Sequence, residues 1–163
     1  MKMKFNASLD KLAKVVTFII TIIFVSIIIG QLVFIIDSIQ SISLFSILIL
    51  VIIYLIVFLY RPIYYTTTDK LVVIHRPISD IKINLIDIKS VELLDKERLK
   101  WTIRTFGVGG FFGYWGKFTN SKIGVMTWYA TKRENAVLIT TFSNKKILLT
   151  PDNPELFVSV IRS

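Results

Sequence analysis

Two long apolar runs near the N-terminus constrain this chain more than any other feature of its sequence. Residues 15–36 and 42–60 contain no charged residue, and most of their positions are Val, Ile, Leu or Phe. A helix rises about 1.5 Å per residue, so each run is long enough to cross a hydrocarbon core of about 30 Å. The sequence therefore predicts a hairpin of two transmembrane helices over residues 15–60.

The charges that flank the apolar runs predict how the hairpin is oriented. Lysines precede the first run and Arg61 follows the second, whereas the turn between the runs, residues 38–41, has no Lys or Arg. Segments rich in Lys and Arg stay on the cytoplasmic side of a membrane. We therefore expect a two-pass protein with both termini in the cytoplasm and the turn outside.

The net charge of +9 comes from residues outside the hairpin. The hairpin and its two basic flanking segments divide the chain into three parts. Residues 1–14 form a basic cytoplasmic tail, residues 15–60 the hairpin, and residues 61–163 a basic soluble domain. No Gly/Ser linker separates the hairpin from the domain, so the domain is expected to lie close to the membrane. Anionic lipid headgroups are then the nearest source of negative charge, and we expect membrane lipids rather than nucleic acid as partners.

After Pro62 the hydrophobic period changes from helical to alternating, which is typical of strands. Pro154 and Glu155 then fit the first turn of a helix whose apolar side chains form one stripe. The sequence therefore predicts a mainly β domain, a small barrel or sandwich with one C-terminal helix packed on it. The strands are expected at residues 64–65, 71–75, 81–85, 87–93, 124–130, 137–142 and 146–150.

Residues 104–118 form the most unusual stretch of the soluble part, with five of the chain's seven glycines and six aromatic residues. It fits neither a Walker loop nor a dinucleotide fingerprint, and its glycine content disfavours a helix. We expect an irregular loop, for which two interpretations stay open. Its aromatic side chains either close one end of the barrel or form an exposed contact surface for a partner or the membrane. The candidate contacts are Phe111, Phe112, Tyr114 and Trp115.

Catalytic and metal-binding groups do not cluster in this sequence. His75 is the single histidine and there is no cysteine, so zinc ligation is not expected. The carboxylates alternate with Lys and Arg, as solvated strand edges and turns do, and no serine lies in a nucleophile elbow. We predict no catalytic residues, no metal, no cofactor and no enzyme activity.

Two predicted turns carry basic pairs, Lys132 with Arg133 and Lys145 with Lys146. Solvation of exposed turns is the simplest explanation. The alternative is that both turns lie at one end of the barrel and contact anionic lipid headgroups.

The motif Arg104-Thr105-Phe106-Gly107, followed by the segment Gly113 to Phe118, resembles the membrane-anchored branch of the bacterial pleckstrin-homology-like (PH-like) family. Residues 64–69 and 152–157 are similar to that family as well, so the resemblance covers about residues 62–162. It implies a strongly bent sheet of about seven strands with a C-terminal helix, frequently anchored in a membrane. It also implies no established enzyme activity and no catalytic residues.

These observations together predict a non-enzymatic binding or scaffolding module in the bacterial cytoplasmic (inner) membrane. The expected partner is another membrane protein or a second copy of the chain. The alternative function is recognition of anionic lipid at the cytoplasmic membrane face.

Overall fold

The computed structural model describes residues 2–37 and 41–162, in which two long helices precede a mainly β domain. The predicted helix pair, β domain and C-terminal helix are confirmed. The helices are α1 (Lys11–Asp37), α2 (Ser41–Tyr60) and α3 (Pro154–Arg162). The strands are β1 (Met3–Asn6), β2 (Tyr64–Thr67), β3 (Leu71–His75), β4 (Ile81–Asn84), β5 (Ile88–Leu94), β6 (Ile103–Gly110), β7 (Gly113–Asn120), β8 (Gly124–Ala130), β9 (Ala136–Thr141) and β10 (Lys146–Leu149).

Helices α1 and α2 are long and apolar enough to cross a membrane. They are not the core of a globular domain, because only 6% of each span is buried. Two polar contacts join them: Ser46 donates to the Gln31 Oε1 atom at 2.7 Å, and the hydroxyls of Thr21 and Tyr54 are 3.3 Å apart. The turn predicted to lie outside the cell includes residues 38–40, which are not among the described residues.

The strands form two sheets, one in the order β1-β2-β3-β4 and one in the order β5-β9-β10-β8-β7-β6. Neighbouring strands are antiparallel except β8 and β10, which are parallel. Each of the seven predicted strand segments overlaps one strand. The described part of the chain adds three strands that the sequence did not predict, namely β1, β6 and β7.

The N-terminal tail is part of the domain and not a separate segment. Strand β1 pairs with β2, and the backbone carbonyl of Asn6 accepts a hydrogen bond from the Asp152 N–H at 2.9 Å. The Asp152 carboxylate in turn accepts bonds from the Ser8 N–H at 3.1 Å and the Ser8 hydroxyl at 2.7 Å. A four-residue strand with a partner about 60 residues away has no local sequence signal, which explains why the sequence predicted a separate tail and no strand there.

Two apolar clusters fill the domain. The first lies between the sheets and α3 and includes Phe5, Tyr65, Ile74 and Phe157. The second lies on the opposite face of the six-stranded sheet. Successive side chains of β8 point to opposite faces of the sheet and so into different clusters. Met126, Trp128 and Ala130 belong to the second cluster, whereas Tyr129 packs against the first.

The prediction of an irregular loop for the glycine-rich stretch is wrong, because β6 and β7 form an antiparallel hairpin there, with one bulge in β6. Gly107 and Gly116 face each other across it with φ angles of 99° and 120°. A Cβ atom on Gly107 would lie 2.2 Å from the Trp115 carbonyl oxygen, and one on Gly116 would lie 2.3 Å from the Phe106 carbonyl oxygen. Glycine usually weakens a strand, but here the close approach of the two backbones requires it.

Candidate functional site

The tip of the β6–β7 hairpin, Phe111 and Phe112, packs onto the pair of long helices. The two side chains are only 7% and 9% exposed. Phe112 makes edge-on ring contacts with Tyr54 at 5.4 Å and Phe58 at 5.5 Å, and both tip residues share a buried cluster with Val57 of α2. The hairpin therefore joins the β domain to the helices through aromatic packing.

A threonine one turn into the first apolar run holds the backbone of the tip. The Thr17 hydroxyl accepts a hydrogen bond from the Phe112 N–H at 2.8 Å and donates to the Gly110 carbonyl oxygen at 3.4 Å. Phe112 has a left-handed φ of 56°, a conformation that rarely persists in a bulky residue without support. Sequence analysis missed Thr17, because threonine is common in membrane helices and its partner is 95 residues away.

Tyr114 and Trp115, on opposite faces of β7, also attach the hairpin to residues at or beside the ends of the long helices. The Tyr114 hydroxyl donates to both carboxylate oxygens of Asp10, at 3.1 and 3.2 Å. Burial, and then the charge of Asp10, raise the pKa of Tyr114 well above its usual value. Trp115 stacks on Tyr60 at the end of α2, with ring centroids 5.5 Å apart.

The four aromatic candidates therefore contact the chain's own helices, the residues flanking those helices and the domain core. Neither interpretation of the stretch anticipated this: Phe111 and Phe112 do not close a barrel end, and they are not a free surface. Phe111 and Phe112 stay candidates for membrane contact, because they lie beside helices that are apolar enough to span a bilayer.

The structure does not bring the two basic turns together. Lys132 and Arg133 follow the end of β8, whereas Lys145 precedes the parallel strand β10 and Lys146 is its first residue. Because the Ile147 of β10 pairs with Thr127 of β8, the two turns lie about 20 Å apart, at opposite ends of the sheet. A single headgroup-binding surface made from both pairs is excluded by this topology.

The turn after β8 lies beside the start of α1 and lines an open cleft of about 650 Å³ with it. Lys11 and Lys14 reach this cleft from the helix, and no carboxylate within the described residues pairs with either. Lys132 instead pairs with Asp152. Burial acts to raise the pKa of Asp152, but hydrogen bonds from Lys132 and Ser8 outweigh it and lower the pKa below its ordinary value.

His75 lies in a hydrogen-bonded row that superficially resembles a catalytic triad. Its Nδ1 atom is 2.9 Å from the Asp80 carboxylate and its Nε2 atom is 2.9 Å from the Thr66 hydroxyl. Thr66 is only 3% exposed, and its strand is covered by β1 and β3 on either side. A substrate has no route to that hydroxyl, so the row is structural. Among the described residues no three His, Cys, Asp or Glu side chains converge as metal ligands do.

One apolar surface of the domain stays open. Strand β6 lies at the edge of the six-stranded sheet, and its side chains Ile103 and Phe106 are 65% and 72% exposed. Trp101, just before the strand, is 81% exposed with a left-handed φ of 63°. Sequence analysis did not identify this surface, because Phe106 was grouped with the aromatic residues of the hairpin tip.

Comparison with known proteins gives one match. No curated protein and no solved structure matches the chain. A family model described as Bacterial PH domain matches residues 63–163, from the end of α2 to the end of α3. The match covers more than half of the chain and includes every element of the β domain except β1. The chain therefore belongs to the bacterial PH domain family.

Proposed function

We propose that this chain is a membrane-anchored, non-catalytic binding module that presents its PH domain to a protein partner at the cytoplasmic face of a bacterial membrane. PH domains are generally binding modules, and the family match supports that role here. Anchoring is supported by the large apolar side chains around α1 and α2, such as Phe18 and Phe45, which are 68% and 65% exposed. A surface of this kind is stable in hydrocarbon and not in water.

The observation that carries the proposal is the packing of the hairpin tip against the helices. A flexible tether would leave the domain free to tumble. Here Thr17, Phe112 and the stacked pair of Tyr60 and Trp115 fix its orientation relative to the anchor. A fixed domain always turns the same surfaces toward the cytoplasm, which favours recruitment of a protein partner to the membrane.

Photo-crosslinking in intact membranes tests this function. Benzoylphenylalanine replaces one of three exposed residues on different parts of the domain: Ile86 at 85%, Phe106 at 72% or Leu156 at 42% exposure. We expect a discrete adduct heavier than the chain from at least one position. If irradiation gives no adduct from any of the three, the domain does not hold a protein partner and the proposal is wrong.

A second candidate function is binding of anionic lipid in the cleft beside α1. This cleft supports it because basic residues that include Lys11, Lys14 and Arg133 outnumber the two carboxylates that line it, those of Asp10 and Glu134. Each basic group near an anionic membrane surface contributes about 1 kcal/mol to binding. In this proposal Lys132 and Arg133 are headgroup contacts, whereas Lys145 and Lys146 face away from the membrane.

Lipid retention during purification distinguishes the two ends of the sheet. The full chain is extracted with a mild detergent from membranes containing phosphatidylglycerol and phosphatidylcholine, and the retained lipids are measured by mass spectrometry. Arg133→Ala is expected to reduce the retained phosphatidylglycerol, and Lys145→Ala serves as the matched control. Equal retention by both variants would contradict the lipid proposal.

A further inference from the structure

Strand β6, at one edge of the six-stranded sheet, is the most exposed strand of the domain. It hydrogen-bonds to β7 on one side, and in the part of the chain that the structure describes no strand pairs with it on the other. Unpaired edges present backbone N–H and C=O groups that another strand can satisfy, and proteins usually protect such edges. Strand β5, at the opposite edge, is covered in this way, since Arg162 of α3 donates to the Val91 carbonyl oxygen.

A bulge in β6 places its large apolar side chains on one face. Ile103 pairs with Thr119 and Phe106 with Lys117, so one extra residue lies between the two pairs on β6. Because Thr119 and Lys117 alternate on β7, both project from the same face, and so do their partners Ile103 and Phe106. Val125 of β8 pairs with Thr119 and is 62% exposed on that face. Three exposed apolar residues therefore lie on one face of the sheet, two on β6 and one on β8, with β7 between them.

Basic residues outnumber acidic ones around this surface, although three of the basic residues between positions 98 and 133 pair with carboxylates outside that range. Residues 98–133, which contain β6, β7 and β8, include seven Lys or Arg residues and no Asp or Glu. Arg104 on β6 forms no ion pair with any described carboxylate. An occupant that carries negative charge between its apolar residues complements this surface best.

A second copy of the chain does not fit this edge. Two copies in one bilayer are related by a twofold axis along the membrane normal. The hairpin tip contacts the helices, and β6 leads from it toward Ile103, at the end remote from the tip. Antiparallel pairing of two such strands needs a twofold axis perpendicular to the sheet, which would place the two hairpin tips, and the helices that they contact, at opposite ends of the paired strands.

We infer that the free edge of β6, together with Ile103 and Phe106, binds by strand addition an extended protein segment in which apolar residues alternate with Asp or Glu. Main-chain hydrogen bonds supply affinity in such pairing, and alternate side chains supply specificity. The inference rests on the proposed function and assigns it a surface and a class of partner.

Peptide binding to the full chain in phosphatidylcholine nanodiscs tests the inference directly. The probe is a fluorescein-labelled peptide in which valine alternates with glutamate, and its control alternates valine with lysine. We expect saturable fluorescence anisotropy with the glutamate peptide, binding about tenfold or more weaker with the lysine peptide, and loss of affinity as salt rises. No saturable binding of the glutamate peptide, or equal binding of both peptides, would overturn the inference.

Two matched variants locate the binding surface. Phe106→Asp is expected to weaken the glutamate peptide about tenfold or more, because it removes an apolar contact and adds a like charge. Ile86→Asp changes an even more exposed apolar residue, at 85% exposure in the short 3-10 turn Leu85–Asp87, and should leave affinity unchanged. Phe106 is 72% exposed, so its replacement does not disturb the core. If both variants bind as the wild type does, the surface is not β6.

Two further results separate this inference from the proposed function. The chain has no cysteine, so Phe106→Cys reports self-association cleanly. A disulfide-linked dimer in membranes that Ile86→Cys does not form would place a second copy on β6 and overturn the inference. A photo-crosslinked protein adduct from Ile86 or Leu156, with none from Phe106, would also overturn it while leaving the proposed function intact. No adduct from any position would contradict both.

Discussion

Thr17 joins the long apolar helices to the β domain through hydrogen bonds to the hairpin tip. Its hydroxyl satisfies the Phe112 N–H, which would otherwise be buried without a partner. Thr17→Val keeps the shape of the side chain and removes the bond, which should destabilise the attachment of the tip by about 1–3 kcal/mol. Hydrogen–deuterium exchange of the detergent-solubilised chain should then show faster exchange at residues 110–116.

Thr21→Val is the matched control for that measurement. The Thr21 hydroxyl donates to the Thr17 carbonyl oxygen at 2.7 Å and approaches the Tyr54 hydroxyl, so its hydrogen bonds stay within the helix pair. Exchange at the hairpin tip should be unchanged in this variant. Similar acceleration by both substitutions would mean that Thr17 acts through the helices and not through its bond to the tip.

Tyr65 gives the domain a defined response to alkaline pH. Its ring is fully buried, and its hydroxyl donates to the Tyr129 carbonyl oxygen at 2.7 Å and accepts from the Thr150 N–H at 3.3 Å. Burial raises the pKa of Tyr65 to about 12, although the bond from Thr150 opposes the shift. The folded state therefore holds this proton more tightly than the unfolded chain, whose tyrosines ionise near pH 10.

Because the pKa of Tyr65 is higher in the folded state than in the unfolded chain, the domain loses stability as the pH rises. The contribution of Tyr65 to stability is fully present below about pH 10 and is lost as the pH rises from there toward about 12. In Tyr65→Phe the free energy of unfolding should be about 1–2 kcal/mol lower at neutral pH, because two backbone groups lose a partner, and it should fall less steeply above pH 10. Denaturant titrations in detergent at several pH values measure both. An unchanged alkaline slope would contradict the assignment.

At the scale of elements, the β6–β7 hairpin depends on its facing glycines. Alanine at Gly107 would have to adopt a φ of 99° and would meet the Trp115 carbonyl oxygen at 2.2 Å. The positive φ and the overlap together should cost about 2–5 kcal/mol. Gly109→Ala is the control, since its Cβ would meet only the flexible side chain of Arg104 at 3.4 Å.

Circular dichroism and thermal unfolding of the full chain in detergent measure the two glycine variants. Gly107→Ala should lower the melting temperature or prevent folding of the domain, whereas Gly109→Ala should behave almost as the wild type. Equal loss in both variants would contradict this explanation, because the cost would then not depend on how closely the new Cβ atom approaches the facing backbone.

The helices and strands also show which parts of the fold the sequence alone predicts. Helices α1 and α2 follow from composition, since each run is long enough and apolar enough by itself. Alternation predicted seven strands, because each has its signal within its own residues. Strands β6 and β7 were missed because glycine lowers strand propensity, and the reason for glycine lies across the hairpin in the partner backbone. The contact between Thr17 and Phe112 is likewise non-local, as is the separation of Lys132 from Lys145 by the parallel pairing of β8 with β10.

At the scale of the whole molecule, the first strand and the last helix meet on one side of the helix pair. Strand β1 precedes α1, yet it pairs with β2, which follows α2, and Asn6 bonds to Asp152 near the start of α3. Any membrane around α1 and α2 must therefore leave both chain ends on the same side. We expect this to be the cytoplasmic side, because the tail and Arg61 are basic.

Reporter fusions test that orientation. Green fluorescent protein after residue 163 should fluoresce, because it folds in the cytoplasm, and alkaline phosphatase inserted after residue 40 should be active, because it requires export. A third fusion, fluorescent protein before residue 1, is expected to match the first, since β1 and β2 share a sheet. If the C-terminal reporter is dark and phosphatase after residue 40 is inactive, the hairpin is inverted. The clefts beside Lys11 and Arg133 would then face the outer leaflet, and the proposed cytoplasmic partner would have no access to β6.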